Sequence, residues 1–143
     1  MPSDSKPESR LRFFFDNNFP KKLAAALAAL CPEHHLEHLT TRFKADTSDE
    51  QWLDVLAKEG GWIIVSADFD IIGPHAIKII RGASVAAIVL KKGFANLELW
   101  EYSAKIIKLW PEIMAHSRRF RPGEIWTVTV SSLKLEMYVP PKR

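Results

Sequence analysis

Cysteine is nearly absent: the 143 residues contain one, Cys31. A lone cysteine cannot close an internal disulfide, so no covalent staple is expected in this fold, and a reducing compartment suits it. Cys31 ends an alanine-rich apolar stretch and reads as a small core residue. Long apolar runs are missing as well. Nothing approaches the ~18–20 consecutive apolar residues that a membrane span requires. Met1 to Arg10 is polar and charged, without the apolar stretch of a signal peptide. These absences lead to the expectation of a cytoplasmic protein. There is no His-Glu zinc motif and no pair of Cys-x-x-Cys motifs to suggest a zinc site. Internal repeats and low-complexity tracts are also lacking.

The length that remains suits one domain, which would bury roughly 70% of its unfolded surface. Hydrophobic residues make up 47% and charged residues 26%, as in an ordinary globular chain. Residues 1–10 read as a disordered leader and 11–143 as a single domain. The net charge of +3 conceals an asymmetry: residues 1–71 carry 12 acids and 8 bases, residues 72–143 carry 5 acids and 12 bases. An acidic half and a basic half suit a protein that holds a cation with one and phosphates with the other. Uneven surface solvation accounts for the same numbers, and charge alone does not choose.

Periodicity predicts the elements. Arg12 to Phe15 is a short buried strand bounded by Asp16-Asn17-Asn18. Pro20 opens a helix to about Leu30, at a first-turn position where proline is tolerated, and Pro32 ends it. His34 to Leu39 alternates as a strand. Ser48 and Gln51 form a capping box for a helix that Gly60-Gly61 stops. Trp62 to Val65 is continuously apolar and therefore central. A helix follows over about 73–80, then a strand from Ser84 to Leu90. Asn96 to His116 is helical, with an interruption expected near Pro111. Ile125 to Val130 and Leu133 to Val139 form a terminal hairpin around Ser131-Ser132. Alternation of this kind predicts an α/β sandwich with a mostly parallel sheet.

In such sheets, sites form beyond the carboxyl ends of the strands. The first strand ends in Asp16 and the third leads to Asp68, with Asp70 two residues on. The second strand leads to a helix whose first turn carries Asp49 and Glu50. Three segments thus bring carboxylates to one edge. Hard cations such as Mg²⁺ and Mn²⁺ take oxygen ligands of this type, and would offset the repulsion among clustered acids. Each acid also has a plainer account. Asp16 suits the turn before the helix. Asp49 suits a helix first turn, where it is worth ~0.3–1 kcal/mol. Asp68 suits an ordinary loop.

Phe13-Phe14-Phe15-Asp16-Asn17-Asn18-Phe19-Pro20, then Asp46-Thr47-Ser48-Asp49-Glu50-Gln51-Trp52-Leu53, then Ile64-Val65-Ser66-Ala67-Asp68 resemble the PIN-like toxins of the VapC group. They are most similar to its short branch with an FDNN opening and a D-x-x-W helix, over about residues 12–95. The resemblance implies a three-layer α/β/α fold and Mg²⁺- or Mn²⁺-dependent cleavage of RNA. It also implies a cognate antitoxin that blocks the site, and a possible homodimer. Carried over by position, Asp16, Asp49 and Asp68 are catalytic metal ligands, with Glu50 a possible substitute for Asp49. Ser66 supplies the hydroxyl of the T/S-x-D motif, and Asn17 is a neighbour for water or phosphate. The family's fourth acid has only Asp70 as a near candidate; the segment that follows offers His75 but no acid. A second possibility therefore stays open: a degenerate PIN-like module that binds RNA or protein without catalysis. A phosphatase or DNA nuclease would use the same acids.

Other basic residues fit phosphate contacts. Lys91 and Lys92 follow the fourth strand at the acidic edge, and Arg118, Arg119 and Arg121 surround Phe120. A solvated loop and a solvated helix end are the alternatives. His34, His35 and His38 cluster in sequence, but His35 and His38 alternate across a strand, so all three are expected at the surface. Trp100 and Trp110 on the long helix read as core or dimer contacts.

Overall fold

Three consecutive phenylalanines cannot all point one way in a strand, because successive side chains alternate between faces. In the computed structural model, which describes residues 10–67 and 74–138, strand β1 (Arg12–Phe15) sends Phe13 and Phe15 into one core and Phe14 into another. A layer of helices on each side of the sheet follows from that alternation.

β1 pairs in parallel with β2 (His35–His38) and with β3 (Ile63–Ser66). β3 pairs in parallel with β4 (Ala86–Leu90), and β4 with β5 (Ile125–Val128). β6 (Leu135–Met137) closes the far edge, antiparallel to β5. The order is β2-β1-β3-β4-β5-β6. Helices α1 (Lys21–Leu30) and α4 (Leu99–Ser117) cover the Phe13/Phe15 face through Leu23, Leu27, Ile106, Trp110 and Ile113. Helices α2 (Asp49–Glu59) and α3 (Pro74–Arg81) cover the Phe14 face through Trp52, Leu53, Leu56 and Ile80. This is the expected three-layer α/β/α sandwich, with a mostly parallel sheet and a C-terminal β-hairpin.

Local chemistry explains most boundaries. The Ser48–Gln51 capping box is reciprocal, and Gly60, at φ 74°, ends α2. Cys31 is buried, and its thiol lies 3.0 Å from the Leu27 carbonyl. Three expectations are corrected. Pro20 stands at the cap position before α1, with extended backbone, and not inside the first turn. Helix α4 runs without interruption through Pro111. Pro111 is exposed, and Ile107, one turn earlier, is 40% exposed, so the carbonyl that proline leaves unbonded faces water. Buried Trp110 and Ile113 beside it hold the helix to the sheet. The hairpin strands are shorter than their alternation predicts. A turn closed by the Thr129–Ser132 hydroxyl contact and the Leu133 N–H to Thr129 carbonyl bond takes up the difference.

The expected leader lies outside the described residues except for Arg10, and so do Asp68 and Asp70. Among the described residues, no helix is long and apolar enough to cross a membrane.

A 3-10 turn (Lys92–Asn96) joins β4 to α4 and approaches the hairpin closely. A Cβ added at Gly93 would stand 2.6 Å from Val130 Cγ1. Gly93→Ala is expected to destabilise the fold by ~1–3 kcal/mol, the usual size of an overpacking strain. A urea-denaturation midpoint equal to that of the wild type would contradict this contact.

Candidate active site

Continuing the β1–β3 register one residue past Phe15↔Val65 sets Asp16 beside Ser66. The two share the face of Phe14 and Ile64. Asp16 is 4% exposed, and Ser66 is fully buried. The Ser66 hydroxyl donates to Asp16 Oδ2 at 2.6 Å, and the Ala67 backbone N–H donates to Asp16 Oδ1 at 3.1 Å. The Asp16 N–H donates to the Val65 carbonyl at 3.2 Å, and the Phe19 N–H to the Asp16 carbonyl at 3.1 Å. A buried carboxylate needs such donors, because an ionised group removed from water without partners is strongly unfavourable. The chain reversal through exposed Asn17 and Asn18 then leads into α1.

Asp49 is the first residue of α2, and its Oδ1 accepts from the Trp52 indole N–H at 3.0 Å. Trp52 packs on Phe14 with ring centroids 5.5 Å apart. Asp49 is thereby tied to the sheet face that carries Asp16, one helical turn beyond Trp52. Lys91 follows the end of β4, and its backbone N–H donates to the Val128 carbonyl at 2.9 Å. Lys92 opens the 3-10 turn after it. Asp16, Ser66, Asn17, Asp49, Lys91 and Lys92 therefore belong to the carboxyl edge of the sheet.

The arginines do not. Arg118, Arg119 and Arg121 follow the C-terminus of α4, and Arg118 lies 3.5 Å from the ring of His34, which precedes β2. They sit at the amino ends of the strands. A four-residue strand at about 3.3 Å per residue puts some 13 Å between the two edges. A single phosphate cannot span both.

Two histidines expected at the surface are buried: His34 is 6% and His38 is 5% exposed. The Leu11 N–H donates to His34 Nδ1 at 3.1 Å. His38 Nε2 donates to the Phe19 carbonyl at 2.8 Å, while its Nδ1 accepts from the Thr40 backbone N–H at 3.2 Å. His38 thus latches the turn that begins at Asp16. It lies on the Phe13/Phe15 side of the sheet, and His35 lies on the other, against Trp62.

Tyr102 of α4 is a further residue that periodicity alone does not single out. Its ring packs on Phe19 and Phe94 at 6.0 and 5.6 Å, and its hydroxyl is buried without a hydrogen-bond partner among the described residues. Burial, with the nearby charge of Asp16, holds its pKa far above the ordinary tyrosine value, so it stays protonated. The signal for it in the sequence is slight: a tyrosine in the first turn of a helix that starts at the acidic edge.

The donors gathered here are oxygens, which fit a hard divalent cation. Among the described residues, no group of three or more His, Cys, Asp or Glu side chains is placed to hold a metal ion. Of the expected ligands, Asp16 and Asp49 lie within the described part, and Asp68 and Asp70 lie outside it.

In parallel α/β sheets ligands bind beyond the carboxyl ends of the strands, the edge at which the buried Asp16 carboxylate stands. A family model for a PIN-like domain matches residues 11–92. The chain belongs to the PIN-like domain family, a nuclease-type fold family. No curated protein and no solved structure matches it.

Burial lowers the pKa of His38 below 6.5, more than its bond to Phe19 raises it, and the charge of Lys21 adds to the lowering. The unfolded chain therefore binds more protons in the window from about pH 6.5 down to the lowered value. Stability falls as the pH falls through that window. His38→Gln, which keeps a donor for Phe19, is expected to lose less stability than the wild type between about pH 7.5 and 5.5. Equal shifts of the urea midpoint in the two proteins would show that His38 does not carry this dependence.

Proposed function

We propose that the chain is a metal-dependent endoribonuclease, and the toxin of a toxin–antitoxin pair. The observation that carries this reading is the buried Asp16 carboxylate, held by Ser66 and Ala67 at the end of a central strand in a PIN-like domain. In this reading Asp16, Asp49 and Asp68 are the catalytic acids, and with Asp70 they hold Mg²⁺ or Mn²⁺. Asp68 and Asp70 enter on the sequence resemblance. Such an ion polarises a phosphoryl oxygen and lowers the pKa of a bound water toward neutrality.

The protein's own groups have distinct tasks. Ser66 and the Ala67 N–H fix the Asp16 oxygens, so the carboxylate needs no reorganisation when substrate arrives. The Tyr102 hydroxyl, kept protonated and without a partner among the described residues, is a donor for a phosphate oxygen or a water. Lys91 and Lys92 offset the charge of the RNA backbone at the same edge, and Asn17 lies exposed next to Asp16. Water would attack the phosphorus as the P–O bond to one ribose oxygen breaks; Asp16 or Asp49, directly or through a second water, would take the attacking water's proton, and the departing oxygen would take a proton from solvent.

The apolar surface along α1 and α4 supports a protein partner. Leu30 is 65% exposed and Trp100 is 87% exposed, whereas Trp110 is buried in the core. In this reading the cognate antitoxin covers it, or a second copy of the chain in a homodimer. The proposed setting is the cytoplasm.

The test is cleavage of RNA by purified protein freed of any partner, with Mg²⁺ or Mn²⁺ and in EDTA. Cutting is expected only with the metal. Asp16→Asn and Asp68→Asn should each abolish it. Ser66→Ala should lower it by about 10–100-fold, the usual effect of removing a group that orients a metal ligand. Tyr102→Phe should lower kcat more than it raises KM. RNA bound but never cut under any of these conditions favours the non-catalytic module instead.

A further inference from the structure

The described residues contain seven arginines, and six of them gather at the amino ends of the strands. Arg10 and Arg12 lead into β1. Arg81 ends α3, and Arg118, Arg119 and Arg121 follow α4. The fold brings these segments together. Arg10, Arg12 and Arg121 line one cleft of about 260 Å³ with Trp62, Ser117 and Phe120. The Arg81 backbone abuts Gly123, where an added Cβ would stand 3.1 Å from the Arg81 carbonyl oxygen.

Neutralisation inside the protein is incomplete. Glu59 is engaged by Arg42, by the Trp62 indole at 2.8 Å, and by Arg12 at 3.9 Å. Glu124 accepts the Arg121 backbone N–H and the Trp126 indole. Arg10, Arg119 and Arg121 are exposed, and their side chains form no ion pair among the described residues. Helix C-termini account for Arg81 and Arg118, where a cation complements the backbone dipole. They do not account for Arg10, which lies on no helix. Arg12 sits 4.2 Å over the Trp62 ring. Phe120 and Trp126 are half-buried and stacked, with centroids 5.4 Å apart and planes within 8°.

We propose that this end of the sheet binds the backbone of single-stranded RNA, at a site separate from the acidic edge. Forked guanidinium donors match phosphate oxygens, and the half-buried Phe120–Trp126 stack among them offers an aromatic surface to a base. An acidic polypeptide would use the charges, but its carboxylate side chains carry no ring to lay on the aromatics. The inference goes beyond the proposed nuclease reaction and does not need it, since the cleft lies at the opposite end of the strands from Asp16.

The experiment is fluorescence anisotropy of a labelled oligouridylate with the full chain in EDTA, so that cleavage plays no part. Arg119→Ala/Arg121→Ala is compared with Lys105→Ala/Lys108→Ala, which removes the same net charge from α4 elsewhere. The arginine double variant is expected to bind at least about tenfold more weakly in low salt. Its slope of log affinity against log salt should shrink by about 1.4, or about 0.7 per lost phosphate contact. The lysine double variant should change neither. Arg10→Ala and Arg119→Ala singly, each at an exposed position, should lose about 0.7 of slope apiece and serve if the double variant does not fold. Unchanged binding in the arginine variants overturns the proposal, as does an equal loss in the lysine variant. Displacement of the RNA by polyglutamate as readily as by unlabelled oligouridylate overturns it too.

Discussion

The bond from Ser66 to Asp16 is the contact on which the architecture and the candidate site both depend. It joins the ends of two central strands and satisfies a carboxylate that is nearly removed from water. Its donors come from β3, so the carboxylate is held only when β1 and β3 are in register. A slip of β3 by one residue would turn Ile64 away from the face of Phe14 and carry Ser66 to the face opposite Asp16. The two cores that flank the sheet and the geometry of the acidic edge are therefore set by the same pairing. Energetically this is a coupled arrangement: burial of three phenylalanines enforces the register, and the register supplies the hydrogen bonds.

Much of this was legible in the sequence. Apolar strands alternating with capped helices identify the layers, and Asp16 following Phe15 puts an acid at a strand end. Ser48 and Gln51 mark the start of α2 because a capping box is local chemistry that needs no tertiary contact. The boundaries that shifted were those decided by packing. Pro111 reads as a breaker, yet its helix runs on unbroken, with two buried neighbours held against the sheet. His34 and His38 read as surface residues because edge-strand alternation says nothing about a helix lying over one face. Their burial depends on the Leu11 N–H, on Phe19 and on Thr40, which come from other segments or from the turn after β2. The location of Arg118, Arg119 and Arg121 was illegible for a similar reason. Charge and composition suggested phosphate contacts, but only the course of α4 shows which end of the sheet they occupy.

The family match stops at residue 92, just before α4 begins. The remaining third of the chain is nevertheless integral to the domain. Helix α4 contributes Ile106, Leu109, Trp110 and Ile113 to the core that receives Phe13 and Phe15, and β5 extends the sheet beside β4. It also contributes Tyr102, whose ring packs on Phe19 and Phe94 and whose hydroxyl the charge of Asp16 helps to keep protonated. The candidate site is thus assembled from the matched segment and from the part of the chain beyond it.

Every parallel crossover in this sheet sends its helix back against the direction of the strands, so α1, α2, α3 and α4 all start at the acidic edge and end at the arginine-rich one. Each carries the equivalent of about half a positive charge at its start and half a negative charge at its end. Asp16 and Asp49 at one end and six arginines at the other are distributed the other way round. The backbone's field and the ionic field therefore oppose each other along the strand axis, which lets carboxylates collect at one end and guanidinium groups at the other with less self-repulsion than their number implies. What an approaching polyanion meets is the difference between the two fields, strongest where arginine heads extend past the helix ends into solvent.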